Sequence, residues 1–533
     1  MKRNLLGISL LTMTCLYGML CAVVFLGCIF AKVPLDYTIL VSIIIFILQF
    51  LLAPFFTDLS MKWFYKATFD YPLPDYLNKF IAEICAQNGM KFPKIGFIND
   101  GAPNAFTYGR TKNDARIVLT RGIFEILDEE EVKAVVGHEL GHVVHYDMLF
   151  MTVAQLVPLV LYYIFEVFTK SNNDKDDNKL ALVGLVAYVL YIVSQYIILW
   201  LSRVREYYAD SYAMDVTKNP TALGNALVKI GYGLTTRSSK DAKMSASKSN
   251  ALGIFDAKTS KSLIVSSYDD GQISKENIQK AMKWEMWNVW AKWYEFLSTH
   301  PLISKRLIAI SDRCSEFGQR KYIEFNEEKP ESYVDDFFLE LLISFAPFIC
   351  CVVSVSGFVL APFFDSAILV GLIALPLTFG CSLIKFLRRY RKDGCRPYTV
   401  QELLGEVKVS DITAIPCEVT GKIIGRGDPG CMFSEDFVIN DSTGIVFVDH
   451  KSIFGITDLF VALTRTGNYI DKNVRVKGWY RRSPVPYIEI LEYEVEGQKK
   501  KVMKSYYVGL VVHILFLIIT SLPILLSLLA IFY

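Results

Sequence analysis

Apolar residues in this chain are gathered into long blocks instead of being spread evenly. About seven blocks, at residues 5–30, 38–56, 148–168, 180–201, 338–363, 367–387 and 507–532, each come near the ~20 apolar residues that a helix needs to cross a bilayer. Gln155, Glu166 and Gln195 interrupt the third and fourth blocks, so a buried hydrophobic hairpin is the other reading of that pair. Between the second and third blocks the pattern turns helical and amphipathic from Asp128 onward, with Asp128 as N-cap and acids in the first turn. Residues 211–297 read as helical and partly polar; 235–250, rich in Ser and Lys, reads as a loop near the cleft. Trp284, Trp287, Trp290 and Trp293, spaced by three, form one broad helix face suited to a core or a membrane interface. From residue 400 to 495 the period shifts toward two. Runs at 417–425, 473–480 and 487–490 read as strands, and 437–448 as a hairpin turning at 441–444.

Composition agrees with a membrane frame. The chain has 533 residues, 52% of them hydrophobic, with a mean hydropathy of +0.32. The net charge of +2 gives no reason to expect nucleic acid. The 11 cysteines contain no C-x-x-C pair, and Cys15, Cys21, Cys28, Cys350, Cys351 and Cys381 lie in apolar runs, so neither a disulfide framework nor a cysteine zinc site is expected. Lys2 and Arg3 precede a first block too long for a usual signal peptide, and a second span follows at once. Basic residues then fall at Lys62 and Lys66, Arg203 and Arg205, 385–392 and 499–504. If every block crosses, all of these lie on one side, the cytoplasm, which holds residues 57–147, 202–337 and 388–506 and leaves Tyr533 outside. The expected organisation is a hairpin at 1–56, a domain at 57–335 containing the hairpin 148–201, a second hairpin at 336–390, a β-rich domain at 395–500 and a last helix at 505–533.

The candidate chemistry lies in the amphipathic run, at Gly137-His138-Glu139-Leu140-Gly141-His142. Helical spacing puts His138 and His142 on one face, where two imidazoles can share a Zn²⁺ at about 2.0–2.1 Å. Glu139 is then placed beside a metal-activated water as general base. With 6 histidines in the whole chain, this H-E-x-x-H is rare by chance. A catalytic zinc wants a third protein ligand from the same side of the membrane. Glu206 and Asp210, at i and i+4 on a helical extension of the fourth block, can supply that ligand and an acceptor for a histidine's second N–H. Taken alone, Glu206 reads equally well as an ion-pair partner of Arg203 or Arg205.

Five separated stretches occur in order. They are Pro103-Asn104-Ala105-Phe106-Thr107-Tyr108-Gly109, Ile117-Val118-Leu119-Thr120-Arg121-Gly122, the H-E-L-G-H run, 202–210, and Ser298-Thr299-His300-Pro301 with Arg306. Together they resemble the HtpX-like membrane metalloproteases, relatives of the CAAX prenyl proteases, over roughly residues 1–312. The resemblance implies a gluzincin-type α+β protease domain with one zinc held by His138, His142 and Glu206, Glu139 as catalyst and Asp210 behind a ligand. It also implies Asn104 and His300 beside the substrate. His300, just before a proline at an element boundary, can stabilise an oxyanion, or can be structural. Arg306 is a further candidate substrate contact that can equally pair with an acid near the site, and His145 reads as a supporting or surface residue. The strand-like run 116–120 offers an edge for an extended peptide.

The expected fold class is therefore an α-helical integral membrane protein of about seven transmembrane helices, with a gluzincin-type α+β metalloprotease domain and a small all-β, OB-like C-terminal domain. That last domain lacks a basic-aromatic stripe and reads as an interaction, substrate-presenting or regulatory module; His450 beside Asp449 reads as surface. The expected activity is zinc-dependent cleavage of membrane or membrane-associated proteins in quality control, with protein substrates and lipids as partners. The rivals are a CAAX-type processing protease acting on lipidated C-termini and a non-catalytic scaffold with structural zinc, for which an intact Glu139 would have no use.

Overall fold

The computed structural model describes residues 2–31, 35–69, 71–170, 178–236, 268–269, 272–325, 328, 330–426, 436–450, 469–483 and 485–532. The chain divides into two compact units, residues 1–260 with 293–325, and residues 261–292 with 326–533.

In the first unit, α1 (Lys2–Ala31) and α2 (Leu35–Phe64) are helices of 30 residues each. A four-stranded sheet follows, built from β1 (Thr68–Phe69), β2 (Lys94–Ile98), β3 (Ala105–Gly109) and β4 (Ala115–Thr120), with α3 (Asp75–Asn88) between β1 and β2. Its order is β1-β2-β4-β3, β2 and β4 running parallel. The edge expected at 116–120 is not there. β4 is central and buried at every position, because its Val- and Ile-rich run can be covered on both faces, so the outer edge belongs to β3. After the short α4 (Arg121–Ile126), α5 (Glu129–Val144) opens on a capping box: the Asp128 carboxylate accepts from Glu131 N at 2.9 Å, and Glu131 accepts from Asp128 N at 3.0 Å. α5 is not a half-exposed amphipathic helix, since Val132, Val135, Val136, Leu140 and Val143 are buried on all sides.

α6 (Asp147–Lys170) and α7 (Asn178–Thr217) return as a hairpin. Leu16 and Val23 of α1 join Val157 and Leu161 of α6 and Val183 and Ile198 of α7 in one apolar cluster. α7 runs 40 residues without a break, about 60 Å at 1.5 Å per residue, twice a bilayer's hydrocarbon thickness. α8 (Pro220–Thr236) follows. The loop expected at 235–250 lies almost wholly outside the described residues.

The second unit begins with β5 (Tyr268–Asp269), β6 (Gln272–Ile273) and α9 (Lys275–Trp287). The tryptophans do not share a face. Asn288, at φ −74° and ψ 135°, ends α9 before α10 (Val289–Phe296) begins, and Trp284 is fully buried, its indole N–H donating to Val409 O at 2.8 Å. The chain re-enters the first unit at Trp293, within α10, and α11 (Ile303–Arg313) belongs to that unit. Returning to the second unit, α12 (Val334–Leu360) and α13 (Asp365–Arg389) pack so closely that a Cβ on Gly357 would lie 2.5 Å from Gly371 N.

β7 (Arg396–Pro397) and α14 (Val400–Gly405) lead into β8 (Ile415–Arg426), β9 (Phe437–Asn440), β10 (Ile445–Asp449), β11 (Asn473–Ser483), β12 (Val485–Val495) and β13 (Lys501–Val502), and then α15 (Ser505–Phe532). Strands β8 to β12 close on themselves: β8 pairs β9 and β11, β9 pairs β10, β11 pairs β12, and β10 pairs β12 in parallel. His450 is buried against the Tyr493 ring, not on the surface.

Among the described residues, five helices are long and apolar enough to cross a membrane: Asp147–Thr169, Ala181–Thr217, Val334–Leu360, Ser366–Arg389 and Ser505–Leu526. A shorter apolar stretch, Leu11–Val24, lies in α1. Every cysteine whose side chain is described is a free thiol.

Candidate active site

The site exists because two helices come unusually close. On α5, Gly137 and Gly141 face α7; a Cβ on Gly141 would stand 3.1 Å from Ala209 Cα and 3.3 Å from Ala209 O. That approach brings His138 and His142 to Glu206. The two Nε2 atoms are 3.2 Å apart, and they lie 3.5 Å and 3.6 Å from the Glu206 oxygens Oε2 and Oε1. Ligands at about 2.0–2.1 Å in a tetrahedral shell stand roughly 3.3 Å from one another, so these three atoms have the spacing of a zinc shell. Among the described residues they form the one group that meets the geometry for a metal ion.

Charge makes the same point. Glu139, Asp147, Glu206 and Asp210 are all at least 95% buried (2%, 4%, 5% and 3% exposed), with only Arg205 and Arg306 among them (2% and 0%). With both histidines neutral, as metal ligands must be, four carboxylates against two guanidiniums leave a buried deficit of about two charges, which a divalent cation would cancel. Glu206 Oε2 is buried with no hydrogen bond. Without a metal, burial pushes His138 down, but the Asp210 and Glu206 carboxylates beside it outweigh this and hold it up at about 9. Burial and then the positive His138 next door push His142 down.

The sequence-predicted residues divide as follows. His138 Nδ1 donates to Asp210 Oδ1 at 2.9 Å, and Asp210 takes the Arg306 fork at 2.6 and 2.8 Å. Arg306, expected either beside substrate or paired with an acid near the site, takes the second place: it is fully buried behind the cluster, with Nη1 3.4 Å from Glu206. Neither Arg203 nor Arg205 pairs with Glu206. Arg203 donates to the carbonyls of Glu295, Phe296 and Ser298, and Arg205 turns to Asp147. His300 Nε2 lies 3.6 Å from Glu206 Oε1. Asn104 is buried at the start of β3, its N–H donating to Thr120 Oγ1 at 2.7 Å. His145 caps α5 and stacks edge-on with Tyr208 and Tyr212.

Two contacts escaped sequence reasoning. Thr107 Oγ1, on β3, donates to Glu139 Oε2 at 2.6 Å. His142 Nδ1 donates to Asp147 Oδ2 at 2.7 Å. A charged pair such as Asp147 and Arg205 at the edge of membrane-length apolar runs was the available signal.

Residues 74–314 match the model of Peptidase family M48. A protease HtpX homolog of Methanothermobacter thermautotrophicus is 40% identical over 197 residues, covering 37% of this chain and 73% of that protein. The chain belongs to peptidase family M48. M48 proteins are metalloendopeptidases, generally of zinc, and with its five membrane-length helices this M48 chain is an integral membrane protein. The protease HtpX homolog of Picrophilus torridus is 30% identical over 230 residues, covering 42% of this chain and 72% of its own. The crystal structure of S. mikatae Ste24p is similar at 19% identity and a TM-score of 0.33, over 57% of this chain and 64% of that one.

Proposed function

We propose that this M48 protein is a zinc endopeptidase that cuts membrane or membrane-associated proteins from the cytoplasmic face, in protein quality control. The observation that carries the chemistry is the His138, His142 and Glu206 triangle, beside a general-base candidate and a buried deficit of about two charges. When bound, the ion supplies Lewis acidity to a water and to the scissile carbonyl. Glu139 takes the water's proton and passes it to the leaving amine, while Thr107 holds one of its oxygens and leaves the other to work. Asp210, gripped by Arg306, keeps His138 in the tautomer that presents Nε2. His300, next to Glu206, is suited to donate to the carbonyl oxygen as it gains charge.

An extended peptide can add to β3, whose outer edge pairs with no strand among the described residues, and main-chain pairing there would give sequence-tolerant binding near Asn104. The positions of basic residues beside the apolar runs support the cytoplasmic orientation, and α1 and α2 supply the remaining two of about seven spans. The closed path β8-β9-β10-β12-β11 supports an OB-like barrel, which we read as a substrate-presenting or regulatory module.

The test is Glu139→Gln in the full-length protein. The variant should retain zinc and lose cleavage of an unfolded membrane-protein substrate. A folded, zinc-loaded Glu139→Gln protein that still cleaves would refute the assignment.

A further inference from the structure

The two imidazoles of the site are supported in the same way by different residues. His138 donates to Asp210, which Arg306 grips. His142 donates to Asp147 Oδ2 at 2.7 Å, and the other Asp147 oxygen pairs with Arg205. The second arrangement goes one step further, because Arg205 Nη2 donates to Ser9 Oγ at 2.7 Å. Asp147, Arg205 and Ser9 are 4%, 2% and 0% exposed. They come from three different helices: Ser9 from α1, Asp147 from the first turn of α6, and Arg205 from α7, one residue before Glu206.

We propose that Asp147 is a positioning residue for His142, and that Ser9 on the first helix holds it in place through Arg205. This rests on the reading of His142 as a metal ligand. A histidine that ligates through Nε2 carries its proton on Nδ1, and a fixed acceptor there sets both tautomer and ring plane. A lone buried carboxylate would be costly and free to turn; Arg205 neutralises it and is itself anchored, over the Phe150 ring at 4.7 Å and by the Ser9 hydroxyl. Arg205 is an expensive residue in an apolar helix, and this contact chain accounts for its presence.

The backbone also favours the contact. Tyr146 sits at φ 58°, in the left-handed region that a tyrosine enters only at a cost, and this turn folds Asp147 back toward His142. The metal centre is thereby tied to the seat of α1, whose Leu16 and Val23 pack in the cluster with α6 and α7. Zinc retention then depends on a hydroxyl in the first helix, three contacts away from His142.

The experiment measures zinc affinity by chelator competition, and the visible spectrum of the cobalt-substituted protein, on the full chain in detergent. Asp147→Ala should weaken zinc by about 10–100-fold and change the cobalt bands. Because that variant strands a buried Arg205, the paired variant Asp147→Asn with Arg205→Met is measured beside it. It should melt near wild type and still bind zinc weakly. Ser9→Ala should hasten zinc loss several-fold, and Ser9→Thr, which keeps the hydroxyl, should restore it. Wild-type zinc affinity and cobalt bands in both Asp147 variants overturn the positioning role. Ser9→Ala behaving as wild type while the Asp147 variants are impaired overturns the link to α1. His142→Ala with undiminished zinc affinity would instead refute the ligand assignment beneath both.

Discussion

Gly141 has little room on its α7 side, and the consequence of filling that room can be worked from distances. An added Cβ would stand 3.1 Å from Ala209 Cα, 3.2 Å from Tyr212 Cβ and 3.3 Å from Ala209 O. Carbon atoms rest at about 3.5–4.0 Å, so relief needs α5 and α7 to part by ~0.4 Å or more. Ala209 lies between Glu206 and Asp210, so that movement is passed directly to the third ligand and to the acceptor behind His138. Metal sites tolerate about ±0.2 Å in ligand distance. Gly141→Ala should therefore weaken zinc by roughly tenfold or more, about 1.4 kcal/mol.

Alanine is the better helix former by about 1 kcal/mol, but overpacking a tight contact costs about 1–3 kcal/mol, so stability should fall by up to ~2 kcal/mol. Gly137→Ala is the internal control: its nearest obstacle is Val216 Cγ2 at 3.2 Å, the end of a side chain that can yield, and the backbone is 3.4 Å away. It should cost less on both measures. Zinc competition and thermal melting in detergent check the pair. A Gly141→Ala protein that melts higher than wild type and holds zinc as tightly would refute the claim that helix approach builds the site.

Two further outcomes are expected. Asp128→Ala removes one arm of the capping box at the start of α5 and should cost ~1 kcal/mol, read as a drop of about 2–4 °C in the melting midpoint with zinc affinity little changed. Burial pushes the Cys417 thiol up to about 12 from its ordinary value of 9.0. It should resist alkylation in the folded protein at pH 8, while exposed Cys395 reacts, and mass mapping after brief iodoacetamide treatment reads both. Because the folded value is raised, this stabilising contribution is complete below pH 9 and is lost as pH climbs toward 12.

Much of this protein was written locally. The i and i+4 spacing of His138 and His142, the acid beside them, the cap at Asp128 and the apolar blocks of α6, α7, α12 and α13 are short-range patterns, set by helix geometry and by the polarity a bilayer demands. Glu206 and Asp210 were legible because α7 continues unbroken past the apolar block, carrying the four-residue spacing with it. The runs 437–448 and 473–480 likewise announced strands through their alternation.

Long-range pairing was not written in this way. Nothing in the spacing of Asp147 fixes its place beside His142, because a left-handed turn at Tyr146, which helix periodicity does not foresee, directs it there. The partners of Arg205 and Arg306 depended on which buried carboxylate each could reach once three or four elements had packed. The free sheet edge moved from β4 to β3 because strand order is a property of the whole sheet, not of any one run. Chemistry that repeats along one helix can be read from the order of residues; charge balance among side chains up to about 200 positions apart is decided only when the helices meet.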